Sequence, residues 1–140
     1  MDDLFPTFLA DVTATYQLGQ QIAERISPGE LIALVGDMGA GKTHLSQSII
    51  KSLGYSGNIT SPTFSLVQEY PEIKVAHFDL FRVESLQEVL ELDIEGFLDR
   101  QWLLIIEWAD KFPQILPSHT HCIYLEHLPS GRQASYHPLS

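Results

Sequence analysis

LIALVGDMGAGKTHLSQSIIKSL, running from Leu31 to Leu53, is the stretch that decides the fold. Leu31-Ile32-Ala33-Leu34-Val35 is an unbroken apolar run, the pattern of a strand buried on both faces. Gly36-Asp37-Met38-Gly39-Ala40-Gly41-Lys42-Thr43 then matches the phosphate-binding pattern G-x-x-x-x-G-K-[ST] in full. Leu45, Ile49, Ile50 and Leu53 follow at a spacing that gives a helix one apolar face, and Gly54 stands where its C-terminal cap belongs. Strand, glycine loop and helix thus come in the order a phosphate cradle requires. The glycines let successive N–H groups turn inward around phosphate oxygens, and the helix start adds its partial positive charge. Lys42 is placed to reach the β- and γ-phosphates, and Thr43 to offer its hydroxyl to Mg²⁺. The expectation is a nucleoside triphosphate site.

Working outward toward the N-terminus, Phe5 to Leu9 reads as a short edge strand, because Pro6 is tolerated only at an edge or a strand start. Asp11 or Thr13 caps a helix expected to run to about Ile26, with Tyr16, Leu18, Ile22, Ala23 and Ile26 near one face. Ser27-Pro28-Gly29 breaks it before the phosphate-loop strand. On the other side, Phe64–Tyr70 and Lys74–Asp79 read as strands too close together for a parallel crossover, which makes them an antiparallel hairpin. Glu84–Leu92 and Ile94–Leu98 read as helices, and Trp102–Ile106 as another buried strand, ending in Glu107. Cys122–His127 and Arg132–His137 form a last hairpin around Leu128-Pro129-Ser130-Gly131. The predicted class is α/β with a P-loop NTPase fold. It is one three-layer domain over residues 1–140, with a mixed, mostly parallel central sheet and antiparallel hairpins.

Composition narrows the functional classes. Hydrophobic residues make up 44% of the chain and charged ones 19%, which excludes a disordered chain and supports a packed core. The formal net charge of −10 argues against a broad phosphate-neutralising surface, so any nucleic-acid role is expected to run through a partner. The lone cysteine, Cys122, has no internal disulfide partner and reads as a sheet residue. His119 and His121 beside it lack the paired-cysteine spacing of a zinc site. MDDLFPTFLADVT has neither the basic start nor the apolar run of a signal peptide, and no run is long enough to span a membrane. A cytoplasmic location is expected.

A hydrolytic site needs acidic groups beside the loop, usually at the C-terminal ends of neighbouring strands. Asp79 ends Val75-Ala76-His77-Phe78, and Glu107 ends Leu103-Leu104-Ile105-Ile106. One is expected to contact Mg²⁺ and the other to orient the attacking water, and the residues alone leave that assignment open. Ser61-Pro62-Thr63 lies where nucleotide-sensing segments often sit, although as a bare tripeptide it reads better as an ordinary turn. Locally, His77 reads as a sheet residue, Trp108 as packing, Arg132 as a hairpin charge, and Arg82 as a partner for phosphate or for Glu84. A small-molecule kinase is the alternative class. It would want arginines on a closing lid, and only 8 basic residues occur in the chain, none in an arginine-rich stretch. A GTPase would want N-K-x-D, which is absent. A nucleotide-gated binding module is a third reading.

Several ordered motifs together resemble the TsaE (YjeE) family, small bacterial ATPases of tRNA threonylcarbamoyladenosine synthesis. They are Thr15, Leu18 and Gly19 as T-x-x-L-G, Pro28-Gly29, the phosphate loop, SPTFSLVQEY at Ser61–Tyr70, HFDLFR at His77–Arg82 and IEW at Ile106–Trp108. The resemblance implies a weak, partner-dependent ATPase using ATP and Mg²⁺, supporting repeated cycles of two partner subunits, TsaB and TsaD. It implies contact with tRNA only through that complex, and no membrane. Carried over by position, Asp37, Met38, Gly39, Ala40, Gly41, Lys42, Thr43 and His44 hold the nucleotide, with Thr15 and Arg132 as further contacts. Lys42 binds phosphate, Thr43 and Glu107 are the implied Mg²⁺ ligands, and Asp79 is the catalytic aspartate. Ser61, Pro62, Thr63 and Phe64 resemble a switch facing the partners, and Trp108 matches a tryptophan important for activity. Met38, Ser65, Phe81 and Ala109 depart from the family pattern, and none is a proposed ligand of metal or phosphate through its side chain.

Overall fold

In the computed structural model, which describes residues 1–62 and 65–138, seven strands form one mixed sheet. They are β1 (Thr7–Leu9), β2 (Leu31–Val35), β3 (Val67–Tyr70), β4 (Val75–Asp79), β5 (Leu103–Glu107), β6 (His121–Leu128) and β7 (Gly131–Pro138). Their order across the sheet is β1-β7-β6-β2-β5-β4-β3. The central strands β6, β2, β5 and β4 run parallel, and the outer pairings β1–β7, β7–β6 and β4–β3 are antiparallel. Both expected hairpins are therefore present, and the phosphate-loop strand β2 lies inside the parallel core. Its residues Leu31 to Leu34 are fully buried because helices cover both faces.

Alternation along β2 assigns the two faces. Ile32 and Leu34 join a cluster with Leu18 and Ile22 of α1 (Val12–Ala23) and Leu45 and Ile49 of α2 (Lys42–Ser52). Leu31 and Ala33 point the other way, into a cluster with Val89 of α3 (Leu86–Leu90) and Ile94 and Phe97 of α4 (Ile94–Asp99). The result is the expected three-layer α/β arrangement. Helices α1 and α2 approach closely at Gly19, where an added Cβ would lie 2.2 Å from Ser48 Oγ. Ser48 donates its hydroxyl to Tyr16 O at 2.6 Å, tying the two helices at the same point.

Several element ends differ from expectation, each for a local reason. Asp11, rather than Thr13, caps α1 by accepting from Ala14 N at 2.9 Å. The helix stops at Ala23 and not near Ile26: Arg25 N and Ile26 N both fold back onto Ile22 O, and Pro28 disfavours helical geometry just before it. β3 begins at Val67 because Leu66 has a left-handed backbone (φ 66°) that interrupts the extended run expected from residue 64. Lys74, also left-handed at φ 54°, belongs to the turn and not to β4. Ser85 caps α3 through Glu88 N at 3.3 Å, so this helix is one turn rather than the longer one expected over Glu84–Leu92.

Candidate functional site

The parallel strands β2, β4 and β5 bring their C-terminal ends to one edge of the sheet, where α/β sheets bind ligands. A cavity of about 220 Å³ opens there. Met38, Gly39, Gly41, Lys42, Thr43 and His44 supply its loop side. Asp79, Phe81, Glu107, Trp108 and Arg132 close the other sides. Gly41 caps α2 with φ 102°, a conformation costly for any residue bearing a Cβ, and that Cβ would also press within 3.2 Å of Arg132 Cδ. Gly36 makes the turn out of β2 possible, since a Cβ there would sit 2.5 Å from the Leu125 carbonyl oxygen.

Lys42 curls back over its own loop. Its Nζ donates to Gly36 O and, at 2.9 Å, to Asp37 O, and lies 4.2 Å from the Trp108 ring centroid. Phe81 packs against Trp108 with the rings tilted by 44° and centroids 5.0 Å apart, so the two aromatic rings and the lysine share one wall. Burial lowers the Lys42 pKa, working against the attraction of Glu107, Asp110, Asp79 and Asp37. Trp108 is held there by a left-handed backbone (φ 62°) at the start of the Ala109–Lys111 3-10 turn. Arg132, at the start of β7, reaches across to donate from Nη2 to Gly39 O at 3.1 Å. Its Nε is buried with no hydrogen-bond partner among the described residues.

The two acidic strand ends are direct neighbours: Asp79 and Glu107 pair across β4 and β5. Glu107 is buried, and its carboxylate meets two hydroxyls of α2, Thr43 Oγ1 at 3.3 Å and Ser46 Oγ at 3.4 Å. It also accepts from His77 Nε2 at 2.6 Å, and that imidazole is completely buried. Asp79 accepts from Phe81 N at 3.0 Å, and burial above all, with repulsion from Glu107, raises its pKa. Thr43 Oγ1 and Glu107 Oε1 are adjacent hard oxygen donors facing the phosphate cradle, which suits Mg²⁺. Among the described residues no cluster of three or more His, Cys, Asp or Glu side chains forms a protein-only metal site. A cation here would complete its shell with phosphate oxygens and water, as Mg²⁺ usually does.

Not every expected contact converges. Thr15 is buried in α1, with its hydroxyl 3.4 Å from Asp11 O, and does not line the cavity. Ala40 is buried beneath the loop, and Asp37 contributes its carbonyl to Lys42 without lining the cavity. Ser61 and Pro62 are likewise off the lining, and Thr63 and Phe64 lie outside the described residues. Sequence reasoning missed Ser46, Phe81 and His77 as contributors. Ser46 follows Thr43 by three positions on one helix face, and His77 precedes Asp79 by two on one strand face. Those two spacings were the available signals, and neither reveals a partner without the sheet register.

Comparison with known proteins bears on the family and the fold. A profile of the TsaE family, described as threonylcarbamoyl adenosine biosynthesis protein TsaE, matches residues 9–134. A Synechocystis protein named tRNA threonylcarbamoyladenosine biosynthesis protein TsaE is 44% identical over 79% of this chain and 73% of its own length. A Nostoc protein of the same name is 36% identical over 100% of this chain and 90% of its own. The crystal structure of Bacillus subtilis YdiB superposes with a TM-score of 0.75 at 23% identity, covering 97% of this chain and 86% of that one, and so shares the fold.

Proposed function

The chain belongs to the TsaE family of threonylcarbamoyl adenosine biosynthesis proteins, and from that premise we propose that it hydrolyses ATP to drive repeated cycles of a TsaB–TsaD complex that modifies tRNA. The observation that carries the reading is the convergence of Lys42, Thr43, Asp79 and Glu107 on one cavity at the mouth of the phosphate loop. In this reading Lys42 leaves the Gly36 and Asp37 carbonyls and bonds the β- and γ-phosphates, while the α2 N-terminus faces the same oxygens. Arg132, already at the loop through Gly39 O, adds a second cation against the nucleotide. Thr43 and Glu107 would hold Mg²⁺, which would supply positive charge against the phosphates.

Asp79 is the group left to orient water. Among the described residues it accepts from the Phe81 N–H and stands beside Glu107 without sharing its two hydroxyl partners. Its raised pKa favours accepting a proton as the water oxygen bonds to the γ-phosphorus and the bridging P–O bond to ADP breaks. The products are ADP and inorganic phosphate. With a net charge of −10, the chain is expected to meet tRNA only through its partners.

The test is ATP turnover with Mg²⁺, measured for the chain alone and after adding purified TsaB and TsaD. Slow hydrolysis that changes when the pair is added supports the proposal. Turnover indifferent to the pair, together with phosphoryl transfer to a small metabolite, would instead identify a kinase. The cavity lining argues against that outcome, because Lys42 and Arg132 are the only Lys or Arg side chains in it among the described residues.

A further inference from the structure

A second concavity, of about 500 Å³, lies on the opposite helical layer between α3, α4 and the Pro113–Ile115 3-10 turn. Its lining is apolar where it matters: Leu86 and Leu90 of α3, Leu98 of α4, and Ile115, Leu116 and Pro117 beyond the turn. Helix α3 buries only Val89, while Leu86 and Leu90, one turn apart, are 38% and 62% exposed. A helix that turns two leucines toward solvent beside an apolar trough has an unfilled face.

The charged lining has one sign: Asp93 and Glu95 stand in it, and no lysine or arginine does among the described residues. The surrounding interval, residues 83–99, adds Glu84, Glu88, Glu91 and Asp99 and no lysine or arginine. Arg100 follows at its end, 3.7 Å from Asp93. Lys111, the nearest cation on the following turn, is engaged elsewhere, donating to Phe81 O at 2.7 Å and Val83 O at 2.8 Å. We propose that this groove docks an amphipathic, lysine- or arginine-bearing segment of a partner protein, its apolar side against Leu86, Leu90 and Leu98 and its cations against the acidic rim.

Charge decides between the possible occupants. Nucleic acid would meet carboxylates instead of cations. A second copy seated through the same patch would place acidic rim on acidic rim. The location gives docking a consequence. Residues 80–85 are the whole connection from Asp79 to α3, and Lys111 clamps that connection at Phe81 and Val83. An occupant pressed on α3 therefore bears on the segment that positions Asp79.

The proposal rests on the partner complex of the preceding section, and TsaB–TsaD is the probe. Binding of immobilised TsaB–TsaD to the full chain is compared with Leu90→Asp and with the charge reversal Glu95→Lys, with ATP affinity as the control for folding. At least a tenfold loss of binding in both variants, with ATP affinity unchanged and binding of the parent chain falling as salt rises, is the expected result. If the parent chain and both variants bind alike, the groove is not the docking surface, although the partner reading stands. If the parent chain does not bind the pair at all, the partner reading fails and takes this assignment with it. Sedimentation showing a parent dimer that Leu90→Asp converts to monomer would give the groove to a second copy and overturn the proposal.

Discussion

Replacing His77 by leucine tests whether the carboxylate at the back of the cavity is held by a single strong partner. The imidazole and Glu107 carboxylate meet at 2.6 Å, with side-chain exposures of 0% and 4%. The remaining contacts to Glu107, from Thr43 and Ser46, are long at 3.3 and 3.4 Å and cannot replace a donor lost on the sheet side. Leaving a buried polar group short of its hydrogen-bond partner costs about 1–3 kcal/mol, with charged groups at the upper end. His77→Leu is therefore expected to destabilise the chain by about 3 kcal/mol. With a urea slope of roughly 2 kcal/mol/M, the denaturation midpoint falls by about 1.5 M. His77→Gln, which keeps a donor, recovers part of the loss. The double replacement His77→Leu/Glu107→Leu returns to within about 1 kcal/mol of the parent, since an apolar pair leaves no charge to desolvate. His77→Leu should also raise the Mg²⁺ concentration needed for tight nucleotide binding, because the carboxylate is no longer oriented. A parent-like midpoint for His77→Leu, or additive effects in the double variant, would refute the reasoning.

Lys42→Ala is expected to abolish measurable ATP binding by calorimetry, since it removes the loop's phosphate-seeking cation. Asp79→Asn should slow turnover while raising the melting temperature at neutral pH. Folding raises the Asp79 pKa, so the ionised side chain opposes folding at pH 7. That penalty grows as pH rises from about 3.9 through the raised folded-state value, and the two proteins should converge in stability below it. Equal stability at pH 7 would contradict the burial argument. Gly19→Ala places a Cβ 2.5 Å from Ser48 Cβ, and overpacking of about 1–3 kcal/mol should outweigh the helix-propensity gain of roughly 1 kcal/mol. Adding Ser48→Gly relieves the contact, and a thermal melt that shows no relief would disprove the clash.

What the sequence made legible is what is local. The phosphate loop announces itself because its chemistry is contiguous: strand, turn glycines, lysine, hydroxyl and helix all fall between Leu31 and Leu53. Asp79 and Glu107 were legible because each ends an apolar strand, and parallel strands deliver such ends to a common edge. The dependence of Glu107 on His77 and Ser46 was not legible, because it follows from the β4–β5 register and from the docking of α2 onto the sheet. His77 looks like any sheet residue until Glu107 is found diagonally across from it. Strand β3 was overextended for a related reason, since nothing in the residue type of Leu66 signals a left-handed backbone. For Thr15 the motif pointed to the nucleotide, and in the structure helix α1 turns its hydroxyl back onto Asp11 O.

The wall that Trp108 shares with Lys42 also makes the chain its own optical gauge. An indole with an ammonium 4.2 Å from its centroid sits in a strong local field, and that ammonium is the group drawn toward phosphate when the loop fills. Emission from Trp108 therefore registers where the lysine is, without any dye or label. The other tryptophan, Trp102, packs on Phe97 with centroids 5.0 Å apart, away from the loop, so a Trp102→Phe background isolates the signal. Filling and emptying of the loop can then be followed on the stopped-flow timescale, separately from the release of phosphate.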